Sequence, residues 1–95
     1  MKITRITKKC LQHNEIELGY LGKYDLVLDD EIVLHKIILK RYAGKWRLQY
    51  PSYRAGSQYN NFCYPITREM GDYLLRTVKE FYEKGMANEI ESHRN

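Results

Sequence analysis

From residue 36 to residue 54 the chain carries Lys36, Lys40, Arg41, Lys45, Arg47 and Arg54 with no acid among them, interleaved with Tyr42, Trp46, Tyr50 and Tyr53. Cations neutralise phosphates, and splayed bases stack on exposed rings for about 1 to 3 kcal/mol each. That combination fits nucleic acid. The competing account is that Trp46, Leu48 and Tyr50, which alternate with Lys45, Arg47 and Gln49, are core residues whose cationic neighbours keep a sheet soluble or protect its edge. Composition alone weighs the two accounts equally.

Other chemistry is harder to find. Acid/base and nucleophilic catalysis need groups within hydrogen-bond reach of one another, and no signature of such a set or of a phosphate-cradling glycine loop occurs. His35 lies in a strand-like run and reads as a hydrogen-bonded core histidine. His13 with Glu15 and Glu17, and the cluster Asp29-Asp30-Glu31, lack metal-loop spacing and read as solvated turns. A non-catalytic protein without cofactor, metal or small-molecule substrate is expected. Cys10 and Cys63 have no CxxC spacing, so free, packed thiols are expected in a reducing compartment.

The elements that must position these residues fit in 95 residues and 11.4 kDa, less than an average domain. With no repeat and no Pro/Ser-rich linker, residues 1–85 read as a single domain and 86–95 as a polar tail with little to bury. A chain this short buries a modest share of its surface, which makes a homo-oligomer the expectation. Apolar runs such as Ile37 to Leu39 are far shorter than the ~20 residues of a membrane span. Met1-Lys2-Ile3-Thr4-Arg5 lacks the apolar stretch of a secretory signal, and a cytoplasmic location follows. Sixteen basic against twelve acidic side chains give a net charge of +4, which suits a polyanionic partner.

Ile3 to Thr7 is rich in β-branched residues and reads as a strand. Cys10 to Gly22 is ambiguous between strand and loop. Tyr24–Leu28 and Ile32–Lys40 are strand-like runs around Asp29-Asp30-Glu31, hence an antiparallel hairpin. In the second run Ile32, Leu34, Lys36 and Ile38 fall on one face and Val33, His35, Ile37 and Leu39 on the other, which predicts a central strand buried on both sides. Arg41-Tyr42-Ala43-Gly44 reads as a turn, Pro51 ends the next strand, Ser52 to Gln58 as an exposed loop carrying Arg54, and Tyr59 to Cys63 as a last strand. Thr67 suits an N-cap, Met70, Leu74, Val78 and Phe81 form the stripe of an amphipathic helix, and Gly85 suits its end. The fold class is α+β: an antiparallel, meander-like sheet of about four or five strands, then a C-terminal helix packed on the sheet or on a dimer partner.

Leu28-Asp29-Asp30-Glu31-Ile32-Val33-Leu34-His35-Lys36-Ile37, a glycine turn, Tyr50-Pro51-Ser52-Tyr53-Arg54, Phe62-Cys63-Tyr64-Pro65-Ile66 and a closing helix with Glu80-Phe81-Tyr82 follow one another in this order. From about Met1 to Lys84 the sequence resembles the stage V sporulation protein G (SpoVG) family of small bacterial regulators. The resemblance implies an antiparallel sheet with a C-terminal helix, a homodimer, and binding to DNA and in some members RNA, with influence on gene expression and septation. It also implies a nucleic-acid contact at the loop after Pro-Ser and at the helix start. Arg54 is kept there, while Tyr53 replaces a family lysine, Asn60 stands at a family arginine, and Arg68 is followed by Glu69, Gly71 and Asp72 rather than further cations. The expected binding residues are Arg54, Tyr53, Arg68, Lys45, Arg47, Lys40 and Arg41. A protein-interaction module that has lost nucleic-acid binding is the alternative.

Overall fold

A tight turn with positive φ at both central positions is demanding for side chains other than glycine, and aspartate tolerates that region better than most residues; here it lies within the three-residue loop between Leu28 and Ile32. Asp29 and Asp30 take φ of 54° and 57°, and Glu31 N donates to Leu28 O at 3.0 Å. The turn joins β2 (Tyr20–Leu28) to β3 (Ile32–Tyr42) as the predicted antiparallel hairpin. It is also tied to β1 (Ile3–Lys9): Lys2 N donates to Asp29 Oδ1 at 2.8 Å and Asp30 N to Thr4 Oγ1 at 3.0 Å. A second tight turn, at Ala43 and Gly44 with φ of 52° and 79°, leads into β4 (Lys45–Gln49). Strand pairing carries through Arg41 and Tyr42, so the expected four-residue turn contracts to these two residues.

The structure, a computed structural model, describes the backbone of residues 1–94 and the side chains of residues 1–85. Its main sheet is an antiparallel meander in the order β1-β2-β3-β4. The α+β class, the sheet and the closing helix are as expected. The segment left ambiguous holds a short helix, α1 (His13–Glu17), and the first residues of β2. Ser52 to Gln58 is not a loop: β5 (Ser52–Ala55) and β6 (Gln58–Asn61) form a separate two-stranded hairpin that turns at Gly56. The last strand therefore ends before Cys63 and pairs only with β5.

Helix α2 (Arg68–Arg94) starts as predicted, with Met70 N donating to Thr67 Oγ1 at 3.1 Å. It does not stop at Gly85, because its backbone continues to Arg94. The expected polar tail is thus helical to that point, while its side chains and Asn95 lie outside the described residues.

The core lies between the sheet and α2: Tyr24, Leu26 and Leu28 from β2, Ile37 and Leu39 from β3, and Leu74 and Val78 from the helix are all buried. At about 1.5 to 3 kcal/mol per fully buried large apolar side chain, this face is the main source of stability. Phe81 is partly exposed yet packs edge-on against Tyr24, with ring centroids 5.8 Å apart. Gly22 has a packing reason, since a Cβ there would run into the Tyr24 ring. Tyr73 fixes the helix to the sheet edge by accepting the Ile3 N–H at 2.9 Å.

The two-sided burial expected of β3 needs correction. Leu26 pairs with Leu34 but Tyr24 pairs with Ile37, so β3 has one residue more than β2 requires, and Lys36 sits in this β-bulge at φ 59°. The bulge shifts the alternation by one residue, so that Leu34, Ile37 and Leu39 all face the helix. Ile32 and Val33 are exposed, and burial on the opposite face is confined to Ile38, beside α1 and its flanking loop. Cys10 is exposed and Cys63 half-buried; both are free thiols, so the expectation of two packed cysteines fails at Cys10.

Candidate nucleic-acid interface

The face of the sheet turned away from α2 takes its residues from strict alternation and register. Lys40 lies directly across from Arg47, Tyr42 from Lys45, Ile38 from Gln49, and Tyr20 across from Lys40 on the other side. Toward β1 the same face continues through Lys23, Lys9, Asp25 and Thr7.

The two halves of this face handle charge differently. On β1 and β2 Lys9 and Lys23 each have a carboxylate: Lys9 Nζ is 3.3 Å from Asp25 Oδ2, and Lys23 Nζ 2.9 Å from Glu15 Oε1, while Arg5, in the same row across from Val27, has no ion pair among the described residues. Burial pushes the Asp25 carboxyl up, but contacts from His35, the Lys36 N–H and Lys9 outweigh it and hold it below the usual carboxylate value. The Gln12 N–H, accepted at 2.9 Å, and Lys23 hold Glu15 low as well. His35 is not a core histidine. It is exposed beside the bulge, with Nδ1 3.1 Å from Asp25 Oδ2. His35 faces outward as the residue after inward-facing Leu34, and the extra residue of the bulge returns Ile37 to the core and aims the Lys36 N–H at Asp25 Oδ1, 3.3 Å away. His13 is likewise outside any metal set, 3.0 Å from Glu17 on the exposed side of α1.

On β3 and β4 no carboxylate answers Lys40, Lys45 or Arg47 among the described residues. Like charges directly across a strand pair repel, and Lys40 and Arg47 nevertheless stand there. Lys40 Nζ donates only to the neutral Gln49 Oε1 at 2.8 Å, and Gln49 Nε2 donates to the Tyr20 hydroxyl oxygen at 3.4 Å. Beside this chain of polar groups lies a cleft of about 420 Å³ lined by Leu18, Gly19, Tyr20, Tyr42, Arg47 and Gln49 among others. Gly19, at φ 87°, supplies the left-handed turn that brings β2 in under it.

Three of the seven expected binding residues, Lys40, Lys45 and Arg47, are thus brought together. Arg41 also borders the cleft, but alternation puts its guanidinium on the helix side, 5.5 Å from the Trp46 ring centroid, with Lys79 Nζ at 4.9 Å from the same ring. Trp46 also meets Tyr82 at 5.9 Å, and Tyr50 is half-buried, so both rings belong to the core as their alternation suggested. Burial, with a contribution from Cys63, pushes the Tyr50 hydroxyl up to about 12. Tyr53 and Arg54 sit on the β5–β6 hairpin, where Tyr53 packs on Phe62 at 4.9 Å and Arg54 Nε donates to Gly56 O at 3.0 Å. Arg68 opens α2 with its guanidinium 4.0 Å from Asp72. Tyr42, one of the rings interleaved with the cations in the sequence, completes the cleft together with Tyr20 and Gln49, which the sequence does not single out. The even–odd pattern of β4, applied to polar residues as well as apolar ones, is the signal that finds Gln49.

Among the described residues no helix is long and apolar enough to cross a membrane. No protein-family model matches this chain, and no curated protein matches it.

Proposed function

We propose that the chain is a small, non-catalytic, nucleic-acid-binding regulator of SpoVG type, cytoplasmic and homodimeric, acting on DNA or RNA to modulate gene expression and septation. The observation that carries the reading is the contrast on the outer sheet face between Lys9 and Lys23, each paired with a carboxylate, and the cluster Lys40, Lys45 and Arg47, which faces none among the described residues. Phosphates are the counter-charge such a surface lacks. These cations also offer positive charge in place of that missing at Tyr53, Asn60, Gly71 and Asp72.

The homodimer has its own support. The chain exposes 7426 Å², against roughly 5,800 Å² for a compact monomer of its mass. An apolar cleft of about 370 Å³ opens beside Ile32, Leu34, Met70 and Leu74, with Tyr64 and the 93% exposed Ile66 at its mouth. A second copy covering this end would remove that surface from water. Ile66→Asp, which disturbs nothing packed in one protomer, is expected to halve the mass seen by equilibrium sedimentation.

The deciding experiment is binding of labelled DNA and RNA across a salt series. Combined Lys40→Ala and Arg47→Ala should weaken binding and flatten the log–log salt slope by about 1.8 on duplex or about 1.4 on single strands, two phosphates' worth. Absence of binding by the unaltered protein at low salt overturns the reading. In that event the exposed Tyr53, Tyr59 and Phe62 of the β5–β6 region favour the protein-interaction alternative, because aromatic residues are enriched at such interfaces.

A further inference from the structure

The cleft on the outer sheet face has a composition that charge alone does not require. Its walls combine one well-exposed ring, a fixed amide and three cationic residues, Lys40, Arg41 and Arg47. Tyr42 is 72% exposed at the end of β3, next to a rigid two-residue turn. Gln49 is held at both ends of its amide, by Lys40 at 2.8 Å and by the Tyr20 hydroxyl at 3.4 Å. Tyr20 accepts that bond and keeps its own phenolic proton to donate. Cations that bind phosphate in any register need neither an oriented amide nor a ring; a base needs both, a face to stack on and groups to meet its edge.

The shape of the sheet selects among nucleic acids. Four strands about 4.8 Å apart make a face roughly 14 Å across, too broad for a major groove about 12 Å wide, which admits a helix or a two-stranded ribbon. A duplex also hides its base faces in the stack. A single strand can lie on an open sheet and turn one base into a cleft of this size, which falls in the range of small-ligand sites.

We propose that the cleft between Tyr20, Tyr42 and Gln49 is a nucleotide subsite for single-stranded nucleic acid: the base stacks on Tyr42, its edge meets Gln49 and the Tyr20 hydroxyl, and the flanking phosphates lie on Lys40 and Arg47. The proposal rests on the nucleic-acid reading above and names the form of nucleic acid that the sheet takes. The paired cations Lys9 and Lys23 continue the same face toward β1 and give the strand a direction to leave by, exchanging their carboxylates for phosphate.

The test is a fluorescence-anisotropy titration of the full chain with a labelled 15-nucleotide DNA single strand, the matching RNA, and the DNA duplex, for the unaltered protein and for Tyr42→Ala, Tyr42→Phe and Gln49→Ala. Single strands are expected to bind at least tenfold more tightly than the duplex. Tyr42→Ala should weaken single-strand binding about tenfold with an unchanged salt slope, because a stacking contact and not a charge is removed. Tyr42→Phe should retain most of the affinity, and Gln49→Ala should reorder the preference among dA, dC, dG and dT homopolymers. Thermal unfolding of each variant at the unaltered midpoint shows that the fold is kept. Equal binding of duplex and single strand, or an unchanged isotherm for Tyr42→Ala, overturns the subsite while loss of affinity on Lys40→Ala with Arg47→Ala preserves the broader reading. No binding of any of the three by the unaltered chain overturns both.

Discussion

The two faces of the β1–β4 sheet are built from the same strands and obey opposite rules. Toward α2, the buried residues are placed by shape: Tyr24 fits over Gly22, and Leu26 and Ile37 are sealed under Leu74 and Val78. Away from α2 residues are placed by charge, with Lys9 and Lys23 matched to carboxylates and Lys40, Lys45 and Arg47 left unmatched among the described residues. A protein that needed only solubility would gain by alternating signs across β3 and β4. If the outer face binds as proposed, the difference makes stability and binding separable, one face to each, and substitutions can break that separation or sharpen it.

The largest effect is expected on the inner face. Leu74 is buried against the sheet, and Leu74→Ala should lower stability by about 2 to 5 kcal/mol in urea unfolding. A loss below 1 kcal/mol would mean that α2 docks loosely and that the inner face does not dominate.

An intermediate effect belongs to Asp25, the residue where the outer face is itself structural. Its carboxyl is held low when folded, so its contribution is whole above the ordinary carboxylate value of about 3.9 and fades as pH falls through the lower folded value. Asp25→Asn should cost about 1 to 3 kcal/mol at pH 7, and the gap to the unaltered protein should close on titration below about pH 4. A gap constant with pH would assign the loss to packing rather than charge. At the alkaline end, burial pushes the Tyr24 hydroxyl up to about 12. The unfolded phenol ionises near ~10, so stability present below that value should decline between there and the folded value.

The smallest expected effect sharpens the comparison most. Lys40→Ala with Arg47→Ala should leave stability within about 0.5 kcal/mol, or raise it slightly by removing like charges that face each other. A larger loss would make these cations part of the scaffold and remove the clean division between faces.

What the sequence made legible, and what it did not, follows the strength of local signals. Asp29-Asp30, Thr67 and the alternation around Trp46 each specify geometry through short-range chemistry, and each is found where expected. The bulge at Lys36 was hidden because Ile32 to Leu39 is apolar at both parities, so a one-residue shift leaves no trace in the pattern. Helix α1 is too short for periodicity to mark, and β5 and β6 carry no buried face that could print an alternation. Gly85 lowers helix propensity without ending the helix, which its glycine could have capped. In the candidate site the cations are conspicuous by type, whereas the side of the strand to which each one turns is not: Arg41 borders the cleft while its guanidinium lies over Trp46. Tyr20 escaped because it lies just beyond a second register shift in β2.

The bulge at Lys36 also gives the chain a place to change length. Because β3 there carries one residue more than its partner strand, removing that residue would restore regular pairing and leave Leu34, Ile37 and Leu39 on the helix side, with the cradle around Asp25 as the element lost. Where the pairing is regular, a deletion of one would turn a buried row outward. At this position the core tolerates the altered count, and the outer face alone registers it.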